Sequence, residues 1–400
     1  MRSPLDGITV LDLTIWQNGP WGTAMLSDMG ANVIKIENPV DGDPGRNVGM
    51  LGPSPAAINS YFETMNRNKR SMTLNLKCTE GREIFMTMAK KADVITQNFR
   101  VGVVDRLGIG YEAIKEINPR IIYASVSGLG DQGPDARDGI FDILGQARGG
   151  FMWMTSLADP EVRYRVAGGM ADQTGAIILA YAVMSAVVAR ERFGVGQHVQ
   201  VSQLGGQLII QALALNGFLL NGSVRAMGDR KSATNPLFSI YRCGDDNWIA
   251  LGCIQSDRYW PQLVAGLDAP ELLEDPRFTD HATRYQNYRP LIDKLDEIFA
   301  TRTRDEWVKE LKPRGVNIGP VQTYEDLPND PQVIANNYLV ELEHPVHGTL
   351  KEVGVPIKMS ETQPYARTAA PEFGAHTEEI LQEFGYSWDQ IEQYRDKSVL

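Results

Sequence analysis

Short apolar runs alternate with amphipathic stretches along the first part of the chain. An apolar run at residues 7–13 is followed by a turn at Gly19-Pro20, a short helical stretch that ends at Gly30, and a second apolar run at 32–37. The same alternation predicts further strands at 72–76, 93–97 and 121–125, with a helix at 80–92. Strands that alternate with helices form parallel sheets covered on both faces, so the pattern predicts an α/β fold with ligands at the carboxyl ends of the strands.

The pattern changes near residues 221–222. Two alternating runs, 238–242 and 248–251, flank Gly244-Asp245-Asp246-Asn247 and predict a hairpin, and helical stretches follow at about 259–267 and 291–300. We therefore expect a smaller α+β domain inserted into a larger one. The predicted segments are 1–225 for the first part of the large domain, 226–328 for the small domain, and 329–400 for the return to the large domain.

The longest apolar run, 176–189, follows a glycine-flanked acid, Asp172, and precedes Arg190-Glu191-Arg192. The run is too long for a typical strand and predicts a buried helix with Asp172 near its N-terminus, where free N–H groups favour negative charge. Taken alone, such an aspartate is more often a helix cap than a catalytic group. Residues 175–189 fall short of a membrane span and end in charges, so no transmembrane helix is expected.

Composition narrows the classes of partner. The net charge is −11 over 400 residues, and this argues against nucleic acid, which needs a basic face. The start of the chain lacks the apolar core of a signal peptide, and Cys78, Cys243 and Cys253 have no metal-ligand spacing. His344 and His347 lie in a Pro/Gly-bounded segment that predicts a solvated loop. These features predict a cytoplasmic protein with reduced thiols and without a metal site.

The first β-α turn occupies the position of a dinucleotide site. Its sequence, 17–22, lacks the G-x-G-x-x-G spacing that allows the backbone to approach a pyrophosphate closely. Glu37, at the end of the second strand, stands where a ribose-binding acid would be. Because the glycine spacing is missing, a nicotinamide or flavin site is disfavoured, and Glu37 is expected at the surface or in an ion pair.

A series of short motifs covers nearly the whole chain. They are Pro4-Leu5-Asp6-Gly7-Ile8, Gln17-Asn18-Gly19-Pro20, 30–37, Asn68-Lys69-Arg70-Ser71, 74–77, Asn98-Phe99-Arg100, Arg106-Leu107-Gly108, 127–134, 168–175, Gly194-Val195-Gly196-Gln197 and Gly374-Ala375-His376-Thr377. Together, and in this order, they resemble the family III CoA-transferases, the group of formyl-CoA transferase, carnitine CoA-transferase and the α-methylacyl-CoA racemases.

The resemblance implies a Rossmann-like large domain built from both ends of the chain, an inserted small domain, and an interlocked homodimer of ring-like chains. It implies Asp172 as the nucleophile and Gln17 as an active-site hydrogen-bond donor. The substrates would be an acyl-CoA and a free carboxylic acid, with no tightly bound cofactor. The positions that match the family's CoA contacts are Gln17, Asn18, Asn38, Leu74, Asn75, Leu76, Lys77, Asn98, Phe99, Arg100, Arg106, Gly139, Ile140, Phe141 and Asp142.

Residue chemistry supports part of that set. Lys77, Arg100 and Arg106 are suitable donors for the phosphates of CoA, and Leu74, Leu76 and Phe99 could wall an adenine ring. The alternatives are that Leu74 and Leu76 alternate as in a core strand and that Lys77 is a solvated strand end.

The sequence also departs from subgroups of the family. Val48 replaces a tryptophan of the formyl-CoA transferases and Asn38 an arginine at the CoA edge, which argues against formate or oxalate specificity. Phe141 replaces the proton-transferring histidine of the racemases. The alternatives to a transferase are a 2-methylacyl-CoA racemase, a non-catalytic CoA-binding homologue, and a dehydrogenase. The racemase alternative would require the histidine that this chain lacks.

Overall fold

The computed structural model describes residues 2–48, 58–156, 163–223 and 230–400. The described residues divide into two compact units. The larger comprises Met1–Met152, Arg165–Gly222 and Asn336–Leu400, and the smaller comprises Trp153–Tyr164 and Ser223–Ala335. The domain boundary predicted at residues 225–226 lies outside the described residues.

The strands of the described residues are β1 Thr9–Asp12, β2 Asn32–Glu37, β3 Arg70–Thr73, β4 Val94–Gln97, β5 Ile122–Ser127, β6 Gln197–Ser202, β7 Phe238–Arg242, β8 Trp248–Gly252, β9 Ile318–Val321, β10 Leu339–His344 and β11 Gly348–Val353. The α-helices are α1 Asn18–Asp28, α2 Ser60–Asn66, α3 Thr79–Ala89, α4 Val103–Arg106, α5 Tyr111–Ile117, α6 Asp142–Arg148, α7 Phe151–Thr155, α8 Met170–Phe193, α9 Gln203–Ile210, α10 Ala212–Asn221, α11 Ser256–Leu267, α12 Glu271–Glu274, α13 His281–Gln286, α14 Tyr288–Phe299, α15 Arg304–Leu311, α16 Pro331–Ala335, α17 Thr377–Glu383 and α18 Trp388–Asp396. Short 3₁₀ turns occur at Pro44–Asn47, Arg230–Ser232, Lys312–Arg314 and Leu327–Asn329.

The larger unit is built on a parallel sheet. Within the described residues it has six strands in the order β3-β2-β1-β4-β5-β6, and every neighbouring pair is parallel. The predicted α/β class is therefore confirmed. This strand order reverses direction between β1 and β4, which makes the carboxyl ends of those two strands the expected ligand crevice of a doubly wound fold.

Helices cover both faces of this sheet. One face carries a core formed with α3 and the C-terminal helices, in which Phe85, Met88 and Ile380 are fully buried. The other face packs against α1 and α8 through side chains such as Leu26 and Leu179. The predicted strands match the observed ones closely except at β3, which ends at Thr73. Residues 74–76, predicted as the end of that strand, follow it as part of a turn that leads into α3.

Helix α8 is longer than the sequence predicted. It runs for 24 residues, because Arg190 does not end it: the Arg190 guanidinium is buried and pairs with Asp93 at 2.9 Å. Gly194, in a left-handed conformation, ends the helix instead. By length and composition α8 could cross a membrane, so the argument that it is too short is wrong. Half of its most apolar segment is buried, and it packs closely on α1, where a Cβ on Gly22 would lie 2.7 Å from Leu179.

The smaller unit has its own sheet and core. Strands β7, β8 and β9 form an antiparallel sheet, and β7–β8 is the predicted hairpin. Helices α11, α14 and α15 pack on it around the fully buried side chains of Leu291, Phe299 and Trp307. The Trp307 indole donates to the Phe299 carbonyl at 2.9 Å, so its polar atom is satisfied inside the core.

An ion cluster is buried where β1 ends. The Asp12 carboxylate accepts from Lys69 Nζ at 3.0 Å and from the hydroxyls of Thr14 and Thr23 at 2.6 and 2.7 Å. Burial alone would raise the pKa of Asp12, but the positive charges of Lys69 and Lys35 hold it well below its usual range. The Lys35 ammonium donates to the Thr14 carbonyl at 2.9 Å and to Asp43 at 2.6 Å. The cluster thereby fixes the backbone that follows β1.

Replacing Asp12 by alanine should destabilise the larger unit by about 3–5 kcal/mol, because the buried Lys69 ammonium would lose its counter-ion. The urea midpoint, followed by circular dichroism, measures this loss. Asp135→Ala removes an exposed partner of Arg148 and should change stability by at most about 0.5 kcal/mol. Equal midpoints for the two variants would contradict the structural importance of the cluster.

Candidate functional site

A cavity of about 310 Å³ lies at the crevice between β1 and β4. Residues that follow β1, β4 and β5 line it, among them Ile15, Trp16, Asn98, Phe99, Arg100, Gly139, Ile140 and Phe141. Six of the predicted CoA-binding residues, 98–100 and 139–141, therefore meet in one cavity. Its position is the one that the strand order predicts for a ligand.

The loop after β1 is held in an unusual conformation. Trp16 has a φ of +67°, a value that is strained for a bulky residue, and its N–H donates to Asp43 Oδ1 at 3.0 Å. The Asn98 side chain binds the backbone of Ile15 twice, donating to its carbonyl at 2.7 Å and accepting from its N–H at 2.9 Å. Asn98, predicted as a CoA contact, thus uses its amide to link the ends of β1 and β4.

The walls of the cavity are mainly aromatic and apolar, and the lining also includes one basic residue, Arg100, and one acidic residue, Asp138. The rings of Trp16 and Phe141 meet edge to face at 5.6 Å. Arg100 is exposed and lies over Gly139, where a Cβ would come within 2.6 Å of the guanidinium nitrogens. Glycine at 139 therefore leaves room for Arg100 at the cavity mouth, where the guanidinium could hold a phosphate or a carboxylate.

The N-terminus of α8 brings Gln17 and Asp172 into one region. Gly168 and Gly169 have φ values of +83° and +77°, which glycine adopts without strain. Gln17 Nε2 donates to the Gly168 carbonyl at 3.1 Å, and a Cβ on Gly169 would lie 2.3 Å from the same nitrogen. The two glycines thus allow the amide of Gln17 to pack directly on the turn that starts α8.

Asp172 is the third residue of α8 and not its cap. The cap position is Gly169, and the free N–H groups of the first turn are taken by Asp142, whose Oδ1 accepts from Ala171 at 2.7 Å and from Asp172 at 3.3 Å. The explanation of Asp172 as a simple helix cap is therefore wrong. Its carboxylate accepts instead from the side-chain amide of Gln203.

The environment of Asp172 favours the neutral acid. Burial, together with the negative charge of Asp142, raises the pKa of Asp172 to about 7, although the hydrogen bond from Gln203 opposes both effects. The pKa of Tyr61 is also raised well above its usual range, by burial and by the charges of Asp172 and Asp43. A partly buried carboxylate that is only half ionised near neutral pH is typical of a reactive group.

Two neighbours of Asp172 were missed from the sequence. Gln203 directly follows β6, and since ligands bind beyond the carboxyl ends of parallel strands, its position could have been used to predict it. Tyr61 lies in α2, far from any motif that points to the site, and no sequence signal identifies it.

Other predicted CoA contacts lie away from the cavity lining in the described residues. Leu74 is buried in the core, Leu76 packs against that core, and Asn75 Oδ1 accepts from the N–H of Lys77 at 3.0 Å. Lys77, Asn38 and Arg106 are exposed. The amide of Asn18 is buried against Gly175, and the described residues supply it with no hydrogen-bond partner.

The glycines of the first β-α turn serve packing. A Cβ on Gly19 would meet Thr14 at 2.3 Å, and Gly22 contacts α8 as described above. Glu37 is buried and forms a two-point ion pair with Arg46, both contacts at 2.8 Å, as the ion-pair alternative predicted. No feature of this turn favours the binding of a dinucleotide.

The histidines give no metal site in the part of the chain that the structure describes, where no group of three or more His, Cys, Asp or Glu is arranged for a metal. The prediction that His344 lies in a solvated loop is wrong. It ends β10, is buried, and its Nδ1 accepts from the N–H groups of Val346 and His347 at 3.0 and 3.2 Å.

Comparison with known proteins identifies the family. The profile of CoA-transferase family III matches residues 5–377. An acetyl-CoA:oxalate CoA-transferase of Acetobacter aceti is 36% identical over 96% of this chain and 96% of its own, and an acyl-CoA transferase of Fusarium pseudograminearum is 34% identical over 100% and 89%. The crystal structure of a CAIB/BAIF family protein from Brucella suis superposes with a TM-score of 0.86 at 29% identity, over 96% of this chain and 100% of that one. The chain belongs to CoA-transferase family III, as the motifs predicted.

The raised pKa of Asp172 predicts a pH-dependent stability cost. Because the folded protein holds this proton more tightly than the unfolded chain, Asp172 lowers stability as pH rises from about 4 to about 7, and the full cost remains above pH 7. Asp172→Asn should therefore melt at a higher temperature than the unaltered protein at pH 8 and at nearly the same temperature at pH 4. Thermal unfolding at both pH values measures this, with Glu116→Gln, an exposed change on α5, as the control. A pH-independent difference would argue against the raised pKa.

Proposed function

We propose that this protein transfers CoA from an acyl-CoA donor to a free carboxylic acid, with Asp172 as the covalent catalyst. The observation that carries the proposal is the Asp172 carboxylate itself, which has a raised pKa and is not used as a helix cap. It lies on the chain segment between β5 and β6, and its N–H donates to Asp142, the residue that follows Phe141 of the cavity. Membership of CoA-transferase family III supports the same chemistry.

The proposed reaction has two halves. Asp172 Oδ2 attacks the donor thioester, forming an aspartyl mixed anhydride and expelling CoA thiolate. The thiolate then attacks Cγ of Asp172, and the carbon–oxygen bond to Oδ2 breaks, so the first acid leaves and an aspartyl-CoA thioester remains. The acceptor carboxylate reverses both steps, attacking Cγ to expel the thiolate, which then takes up the new acyl group. The carboxylate thus preserves the energy of the thioester, provided that water is excluded.

The surrounding residues suit this sequence. The cavity of about 310 Å³ offers apolar walls for the CoA chain, and Arg100 offers charge for an anionic group. Exposed Lys77 and Arg106 are the proposed contacts for the outer phosphates, together with the other predicted contacts in 74–77 and Asn38. Gln17 holds the turn before α8 through the Gly168 carbonyl, so its proposed contribution is to position the nucleophile.

No observation favours the racemase. Racemisation requires an acid and a base on opposite sides of the α-carbon. Phe141 cannot transfer a proton, and the adjacent Asp142 already accepts from the first turn of α8 and from Gln146, at 2.7 Å. The described site therefore offers one group, Asp172, that is suited to proton transfer or attack.

Asp172→Ala tests the proposal directly. The variant should fold and bind CoA, but transfer should fall by several orders of magnitude, because no other group can form the anhydride. The assay follows CoA products by mass spectrometry with a panel of acyl-CoA donors and acids, including acetyl-CoA with oxalate, the pair in the name of the Acetobacter relative. Incubation with the best donor and then borohydride should modify Asp172 alone. More than a few per cent of residual transfer would contradict the assignment.

We further propose that the protein acts as a homodimer with 226–328 as a small domain inserted into the large one. Support comes from apolar side chains that α8 and α10 leave exposed in the single chain, namely Tyr181, Leu213, Leu219 and Leu220 at 66%, 93%, 67% and 82%. Large apolar side chains left this exposed are expected where a partner covers the surface. A second copy of the chain is the partner that the family resemblance implies.

The dimer should persist on dilution, because interlocked chains cannot separate without unfolding. Sedimentation from micromolar to nanomolar concentration measures this. A compact species of 44.4 kDa at any of these concentrations would contradict the interlocked arrangement.

A further inference from the structure

Gln203 makes the only side-chain hydrogen bond to the Asp172 carboxylate among the described residues. Its Nε2 donates to Oδ1 of Asp172, and the other oxygen, Oδ2, receives no such bond there. Gln203 is buried, and its Oε1 has no hydrogen-bond partner in the described part of the chain. The amide therefore points at one chosen oxygen of the nucleophile.

The packing around Gln203 holds it there. It is the first residue of α9, directly after β6, and α6, α8 and α9 converge at this point. A Cβ on Gly145 would lie 2.7 Å from the Ala171 Cβ and 3.1 Å from Gln203 Oε1, so glycine at 145 permits the approach. Because Gln203 starts α9 at the end of a sheet strand, its position depends on the rigid scaffold rather than on a loop.

We infer that Gln203 is a catalytic residue, the side-chain donor that stabilises the oxyanion formed on Asp172 whenever Cγ is attacked. This inference rests on the proposed function and names a group that the reaction needs. When CoA thiolate attacks Cγ of the mixed anhydride, the carbon–sulfur bond forms and the π electrons of the Cγ–Oδ1 bond move onto Oδ1. Collapse of that intermediate restores the carbonyl and breaks the bond from Cγ to Oδ2, so the acid departs with its electron pair.

The hydrogen bond is in place before the reaction begins. A donor that already contacts the atom on which charge develops needs no reorganisation, and such donors contribute most in a water-poor site. The same bond leaves Oδ2 as the attacking oxygen. The Gln17 amide, which donates to the Gly168 carbonyl, does not have this contact. Attack on the donor's own carbonyl places charge on the substrate oxygen, so Gln203 should matter less for that step.

Gln203→Leu and Gln203→Met test the inference, since both remove the donor and the second keeps the length of the side chain. The matched control is Gln207→Leu, one turn along α9, where the amide binds the Thr174 hydroxyl at 2.8 Å and not Asp172. The probe is the acyl-CoA that gives the fastest transfer in the panel, labelled in its acyl group and supplied without acceptor acid. Rapid-quench measurement follows the burst of released acid, which requires attack on Cγ.

Both Gln203 variants should release acid about 10²–10³-fold more slowly, the effect seen on loss of one oxyanion donor, with little change in KM for the acyl-CoA. The acid limb of the pH–rate profile should also move to higher pH for Gln203→Leu, since a bond that lowers the pKa of Asp172 is lost. Gln207→Leu should keep the burst rate within a few-fold and leave the acid limb in place.

The possible failures are distinguishable. A normal burst in Gln203→Leu, with an adduct still on Asp172, would overturn the inference and leave the proposed function intact. A loss of equal size in Gln207→Leu would show that the α8–α9 contact acts through folding, and it would also overturn the inference. Transfer that persists in Asp172→Ala would remove the proposed function and, with it, the intermediate that Gln203 is inferred to stabilise.

Discussion

The site depends on the buried charge cluster at the end of β1. Asp12, Lys35, Asp43 and Lys69 are each almost fully removed from solvent, so each must be compensated by the others. Lys35 binds the Thr14 carbonyl and Asp43 binds the Trp16 N–H. These buried charges therefore fix the backbone between β1 and α1 through their hydrogen bonds to its peptide groups. An apolar cluster of the same volume would pack equally well, but it could not hold these peptide groups in a strained conformation.

At the N-terminus of α8, stability and reactivity are in conflict. A carboxylate in the first turn of a helix would ordinarily be stabilised by the free N–H groups, and its pKa would fall. Here Asp142 takes those N–H groups, and its own negative charge is left beside Asp172. The Asp172 carboxylate is consequently subject to burial and repulsion without the helix-end hydrogen bonds. Its anion is less stable and more basic than an exposed aspartate, which suits attack on a thioester but costs folding free energy.

Periodicity in the sequence was enough to predict the sheet and much of the smaller unit. The apolar run at 32–37 coincides with β2, and the hairpin around 244–247 joins β7 and β8, because alternation of this kind has a direct structural cause. The end of α8 was misjudged for a physical reason. A run of charged residues usually marks the solvated end of a helix. Arg190 is instead buried and forms an ion pair with Asp93, which is distant in the sequence, and no local pattern predicts that pair.

The candidate site was predictable only in part. Asp172 and the residues at 98–100 and 139–141 were found through motifs, and the structure brings the latter into one cavity. Leu74 and Leu76 could not be separated from core positions, because pocket walls and core strands use the same residue types, and Leu74 proves to lie in the core. Gln203, the first residue of α9, reaches Asp172 by tertiary folding, and sequence distance carries no information about that approach.

Close helix packing completes the arrangement. The α1–α8 contact requires small residues, since a Cβ on Gly175 would lie 2.3 Å from the Asn18 amide nitrogen and a Cβ on Gly22 would meet Leu179. In dinucleotide-binding folds the glycines of this first turn admit a pyrophosphate. Here the same part of the fold uses glycine to admit a second helix. That helix, α8, carries the Asp172 carboxylate in its first turn.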